Sequence, residues 1–149
     1  MSIVFQDDAF IVWNKEAGIP VFPFHKDNKS VSLLSDVLRD FPEQQDYDWD
    51  KGFGGGISHR LDVATSGAVW IAKNPRSFER LRILFTQKKL SKEYLFLTRK
   101  KVSWKHHLIC ASIAHDRKKR SRMVVQRGKN TPHRGKWYSA QTEFLFLAQ

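Results

Sequence analysis

The stretch GGGISHRLDVATSGAVWIAK, Gly54–Lys73, sets one histidine, one arginine and one carboxylate between glycines and an apolar run. Arg60 and Asp62 are two residues apart, so on an extended or turning backbone they point to a similar side while Leu61 points oppositely, into a core. The glycines before them and Thr65-Ser66-Gly67 after them supply a bend and short side-chain-to-backbone hydrogen bonds that pin a loop. A pinned carboxylate suits nucleophilic or acid/base work. The same aspartate in a turn also suits backbone capping, and spacing alone leaves both open.

Other chemical patterns fall away on inspection. HRLD differs from the His-Arg-Asp loop of protein kinases by the intervening Leu61, and neither an Asp-Phe-Gly segment nor a nucleotide-covering glycine loop accompanies it. GFGGG is followed by no helix start and closed by no Lys-Ser/Thr pair, so it reads as a connection and not as a phosphate loop. Ser58-His59 and His106-His107 join no Ser/His/Asp grouping, and no Cys/His metal spacing is present. The single cysteine, Cys110, forms no internal disulfide and is expected to be a small buried apolar residue in a reducing compartment.

The elements that must hold such a loop can be read from periodicity. IVFQDDAFIVWNK reads as two strands around an Asp7-Asp8 turn, and EAGIPVFP as a turn and an extended segment. Val31, Leu34, Val37, Leu38 and Phe41 recur at helical spacing until Pro42, and EQQDYDWDKGFGGG follows as an acidic loop. AVWIA is a buried-type strand. Asn74-Pro75 opens a second helix that buries Phe78, Leu81, Leu84 and Phe85 and turns basic at Lys88 and Lys89. KEYLFLTRK, HHLICASIA, SRMVVQR and WYSAQTEFLFLA are strand candidates.

A chain of 149 residues with 41% hydrophobic content is the size of one domain with a real core. It contains no run of about 20 apolar residues, and its N-terminus is acidic where a signal peptide is basic, so the expectation is a cytoplasmic protein without membrane attachment. Charge divides it sharply. Residues 1–57 hold 5 Lys/Arg against 10 Asp/Glu, a balance of −5, whereas residues 58–149 hold 21 against 5, a balance of +16. Gathered on one face, and interleaved with Trp104, His106, His107, Trp137 and Tyr138, those cations would attract and stack on nucleic acid; scattered, they give only a soluble basic protein.

HRLDVATSG followed by an apolar strand and a lysine resembles the signature of the RluA-type pseudouridine synthase family. The likeness continues in order along nearly the whole chain. IVFQDDAFIVWNKEAGIPVFP is similar to the family's opening strands and Gly-x-Pro turn, FTQKKLSKEYLFLTRK to its Lys-x-Tyr strand, and ASIAHDRKKRSRMVV with SAQTEFLFLA to its basic loop and Thr-x-Phe strand. The resemblance implies isomerisation of uridine in RNA, ribosomal or transfer, to pseudouridine without metal or cofactor. It implies Asp62 as the catalytic aspartate, acting as nucleophile or as base. It further implies Arg60 filling the space of the displaced base, Tyr94 stacking on the uracil with Lys92 beside it, and Arg117, Lys118, Lys119, Arg120 and Arg122 meeting phosphates.

The implied fold is α+β: a mixed, mainly antiparallel sheet flanked by helices, with a basic cleft across it and Asp62 in the wall. The family continues beyond its Thr-x-Phe strand into Gly-Arg and His-Gln segments, whose first arginine pairs with the catalytic aspartate. Gln149 precedes that segment, so the expectation is the N-terminal portion of one catalytic domain, truncated at its C-terminal end and with no S4-like domain. The alternative is an RNA-binding fragment or homologue that keeps the fold with impaired catalysis.

Overall fold

Successive residues of β2 (Phe10–Lys15) face opposite sides of a three-stranded sheet, and both sides are covered. β2 pairs antiparallel with β1 (Ser2–Gln6) and with β3 (Gly67–Ala72), placing Ile11 opposite Ile71 and Trp13 opposite Val69. These four residues pack with Leu33 and Val37 of α1 (Leu33–Asp40). Phe10, Trp70 and Ala72, of the other parity, pack with Phe78 and Leu81 of α2 (Pro75–Thr86). Each fully buried Leu, Ile or Val here contributes about 1.5–3 kcal/mol, which is what holds helices on both faces of so small a sheet.

Both helices begin where their caps place them. Ser32 accepts from the Ser35 amide and Ser35 reaches back to Ser32, while Asn74 accepts from the Ser77 amide with Pro75 at the first helical position. The acidic loop after α1 opens with a short 3-10 turn, Pro42–Gln45. The turn at Asp7 is held by its carboxylate, which accepts from the amides of Ala9 and Phe10.

The computed structural model describes residues 2–24, 31–50, 52–119 and 121–148. They fall into two compact units, Met1–Glu93 and Tyr94–Gln149. In the second unit β4 (His106–Asp116) pairs antiparallel with β5 (Met123–Val125) on one side and with β6 (His133–Leu145) on the other. Among the described residues all four strand pairings are antiparallel, in two sheets of three strands.

Two expectations are corrected in this unit. Cys110 is exposed: it lies opposite Gln141 on a ribbon of which only Ala114 is buried among the described residues. KEYLFLTRK forms no strand, and Tyr94, Leu95 and Leu97 are 58%, 86% and 101% exposed. Its strand-prone residues find no ladder partner among the described residues, and β propensity is realised only against a neighbouring strand.

Two features of the first unit position the HRLD string. β3 ends the ladder, yet its free edge is occupied by residues 56–59. The Ala72 amide donates to the Gly56 carbonyl at 2.8 Å, Ile57 bridges to Ile71, the Ser58 hydroxyl donates to the Trp70 carbonyl at 3.1 Å, and the Trp70 amide donates to His59 Nε2 at 3.0 Å. Gly56 adopts φ +71°, and a Cβ there would sit 2.0 Å from the Ala72 carbonyl oxygen. Second, the inward parity of Ile11 and Trp13 brings Lys15 fully inside, where its ammonium donates to the carbonyls of Glu16 (2.9 Å), Ile19 (2.7 Å) and Val63 (3.4 Å).

Gly56→Ala is expected to lower unfolding free energy by at least about 2 kcal/mol in urea titrations, because both the positive φ and the contact with Ala72 must relax. Lys15→Met, which keeps the stem but removes the donor shared by the Glu16, Ile19 and Val63 carbonyls, is expected to cost about 2–3 kcal/mol in the same measurement.

Candidate active site

From Ser58 to Gly67 the backbone is tied down on both flanks of Asp62. The Val63 carbonyl accepts from the Gly18 amide at 2.7 Å and from Lys15, the Asp62 carbonyl accepts from the Thr65 amide at 3.0 Å, and Leu61 packs into the α1-side core. Asp62 itself is exposed. Its carboxylate forms no ion pair among the described residues. Its charge acts on Lys15: burial lowers the pKa of that ammonium, and the negative charge of Asp62 opposes the lowering. A rigid backbone thus presents a solvent-accessible carboxylate, with a buried cation behind the loop.

His59 is a fixture of the strand edge. Burial, followed by the positive charge of Lys92, lowers its pKa from 6.5 to about 4, so the ring is neutral near pH 7 and its Nε2 is occupied by the Trp70 amide. The ring also lies 4.8 Å from that of Phe85, centroid to centroid. Lys92 caps the same aromatic, with Nζ 5.0 Å from the Phe85 centroid.

Arg60 is exposed and lines a cavity of about 410 Å³ with His59, Phe22, Phe53, Arg82 and Phe85. The Arg82 guanidinium lies over the Phe53 ring at 4.3 Å. Asp62 is not in this lining. The turn closed by Asp62 and Thr65 bends the backbone immediately after Leu61, so the spacing that sends Arg60 and Asp62 to one side of an extended strand does not bring both to the cavity.

Tyr94 belongs to the second unit and is exposed. Arg117, Lys118, Lys119 and Arg122 come together there on the turn from β4 to β5; Arg120 lies outside the described residues. Asp116 organises that turn by accepting from the amides of Lys118 (2.7 Å) and Lys119 (3.0 Å), bonds that hold its carboxyl below the usual range. Among the described residues no three His, Cys, Asp or Glu side chains are placed to hold a metal ion, and no helix is long and apolar enough to cross a membrane.

Sequence reasoning missed Lys15, Arg82 and Arg127, the last of which shares a cavity with the basic turn. For Lys15 a signal was present: it has the same strand parity as Ile11 and Trp13. No local pattern marked Arg82 or Arg127, whose neighbours are remote in sequence or reached through a loop.

The sequence model of RNA pseudouridylate synthases matches residues 9–143. The ribosomal large subunit pseudouridine synthase D of Buchnera aphidicola subsp. Acyrthosiphon pisum is 37% identical over 94 residues, which are 63% of this chain and 28% of that protein. The dual-specificity RNA pseudouridine synthase RluA of Escherichia coli K12 is 28% identical over 95 residues, 64% of this chain and 38% of that one. In fold, the chain is similar to human RNA pseudouridylate synthase domain containing 1, with a TM-score of 0.70 at 22% identity, covering 97% of this chain and 51% of the other. It therefore spans about half or less of the length of these relatives. The matched span includes the docked edge of β3, the pinned loop and the ribbon of β4 and β6, and the chain belongs to the RNA pseudouridylate synthase family.

Proposed function

We propose that this protein, in the cytoplasm, converts selected uridines of ribosomal or transfer RNA to pseudouridine with Asp62 as the reacting carboxylate. The observation that carries the reading is the loop of the family motif, tied at Val63, Asp62 and Leu61 so that one carboxylate stands in solvent on a fixed backbone. Reactions that break and remake a bond at one sugar carbon gain from such fixed geometry, because the reacting group does not have to be ordered at the moment of reaction.

The balance is that of an isomerisation. The bond from C1′ of ribose to N1 of uracil breaks, the uracil turns, C5 bonds to C1′, the C5 proton leaves to solvent and N1 takes up a proton in its place. Asp62 opens the sequence either by attacking the sugar or by removing a proton from it, and no oxidant, metal or co-reactant is consumed. Extracting the uridine from a stacked RNA costs a few kcal/mol. Arg60 would occupy the vacated space, and Tyr94, with Lys92 beside it, would hold the freed base by stacking. The cations 117–122 would meet the phosphates, consistent with the balance of +16 over residues 58–149.

RNA tritiated at uracil C5 should release tritium to water with the wild-type chain and none above background with Asp62→Ala or Asp62→Asn; release that persists in these variants removes Asp62 from the reaction. His59 generates a separate expectation. Between pH 6.5 and about 4 the unfolded chain takes up a proton that folded His59 refuses, so stability falls as pH drops through that window, by up to about 3 kcal/mol. His59→Gln, which can still accept from Trp70, should flatten the dependence in urea titrations across that range.

A further inference from the structure

The turn from β4 to β5 and the loop from β5 to β6 line an open cavity of about 610 Å³ within the second unit. Arg117, Lys118, Arg122 and Arg127 line it against a single carboxylate, Asp116, which leaves three positive charges uncompensated. The two walls are fastened separately. On one, Asp116 accepts from the Lys118 and Lys119 amides, the Asp116 amide donates to the Arg122 carbonyl at 2.9 Å, and the Arg122 amide donates to the Lys119 carbonyl at 3.1 Å. On the other, Thr131 Oγ1 accepts from the amides of Arg127 (2.9 Å) and Gly128 (3.0 Å) and donates to the Gly128 carbonyl at 2.9 Å.

Each fastening residue is used up by its own turn. Thr131 has its hydroxyl fully engaged, and Asp116 spends one oxygen on two amides while the other lies 3.9 Å from Arg122 Nε. The cations are therefore the groups left to face a ligand. Three of the four are arginines, whose planar forks match phosphate oxygens in pairs. Met123 and Val125 of β5 give the cavity apolar surface beside the cations.

We infer that this cavity is a grip for the phosphate backbone of folded RNA, in which Arg127, brought in by the Thr131-fastened loop, acts with Arg117, Lys118 and Arg122. The inference rests on the RNA reading above and adds to it a site formed by two turns rather than by the basic run alone. Contacts of this kind set affinity and register without reading bases, so their loss raises KM and leaves kcat in place.

Binding of an RNA stem-loop to the full chain, measured between about 50 and 200 mM salt, tests it. Arg117→Ala and Arg127→Ala should each reduce the slope of log K against log salt by about 1, and the double variant by about 2. Arg80→Ala, the same charge loss on the exposed face of α2, should leave the slope unchanged. Thr131→Val, which unfastens the loop without changing charge, should weaken binding, with circular dichroism confirming the fold. Wild-type slopes in Arg117→Ala and Arg127→Ala overturn the grip while leaving RNA binding intact. Tighter binding to phosphatidylserine vesicles, or displacement of RNA by inorganic tripolyphosphate at equal phosphate concentration, overturns it in favour of another anion. Salt-independent binding, or none, by both wild type and Asp62→Ala overturns the RNA reading itself.

Discussion

The carbonyl of Val63 is the hinge pin of the first unit. It accepts from the Gly18 amide and from the buried Lys15 ammonium, so the end of β2, the turn that follows it and the loop carrying Asp62 share one junction. Burying an ammonium is costly, and the cost is met here by three carbonyls and by the opposing charge of Asp62. A lysine held this way is a rigid strut, because one ammonium ties together the backbone carbonyls of Glu16, Ile19 and Val63. The loop's exposure and its rigidity therefore have a common origin: the side chain of Asp62 faces water because the groups around its backbone are satisfied from below.

The strand edge is the second half of that arrangement. An uncovered β3 edge would be a row of open amides and carbonyls, and residues 56–59 use those groups as their own template. Gly56 is what allows the approach, since a Cβ there would overlap the Ala72 carbonyl oxygen. His59 then serves as a neutral acceptor for Trp70, with Phe85 and Lys92 against it, which separates it from proton chemistry and gives it to positioning.

The two units rest on different physics. The first is layered, with two clusters of buried side chains on opposite faces of a small sheet. The second is held mainly by the long ladder between β4 and β6 and by its fastened turns, and it leaves Leu108, Ile109, Tyr138, Leu145 and Leu147 exposed. Charge follows the same division, with the basic turns of the second unit carried on short self-bonded loops rather than on a packed core.

By itself the sequence determined most of the elements. The strands around Asp7, the first helix by its spacing, the second by its Asn74-Pro75 start, β3, and the ribbon of β4 to β6 all follow from local patterns, which depend on residues within one or two turns of each other. The HRLDVATSG string was enough to mark Asp62 by resemblance, although spacing alone left it between capping and chemistry. Tertiary structure decided the rest, because the deciding partners are distant in the chain. Lys15 and Val63 are 48 residues apart, and Trp70 reaches His59 across a turn. The same reason explains the errors: Cys110 and KEYLFLTRK carry the composition of buried strands, but burial needs a second surface, and composition does not say whether one is present.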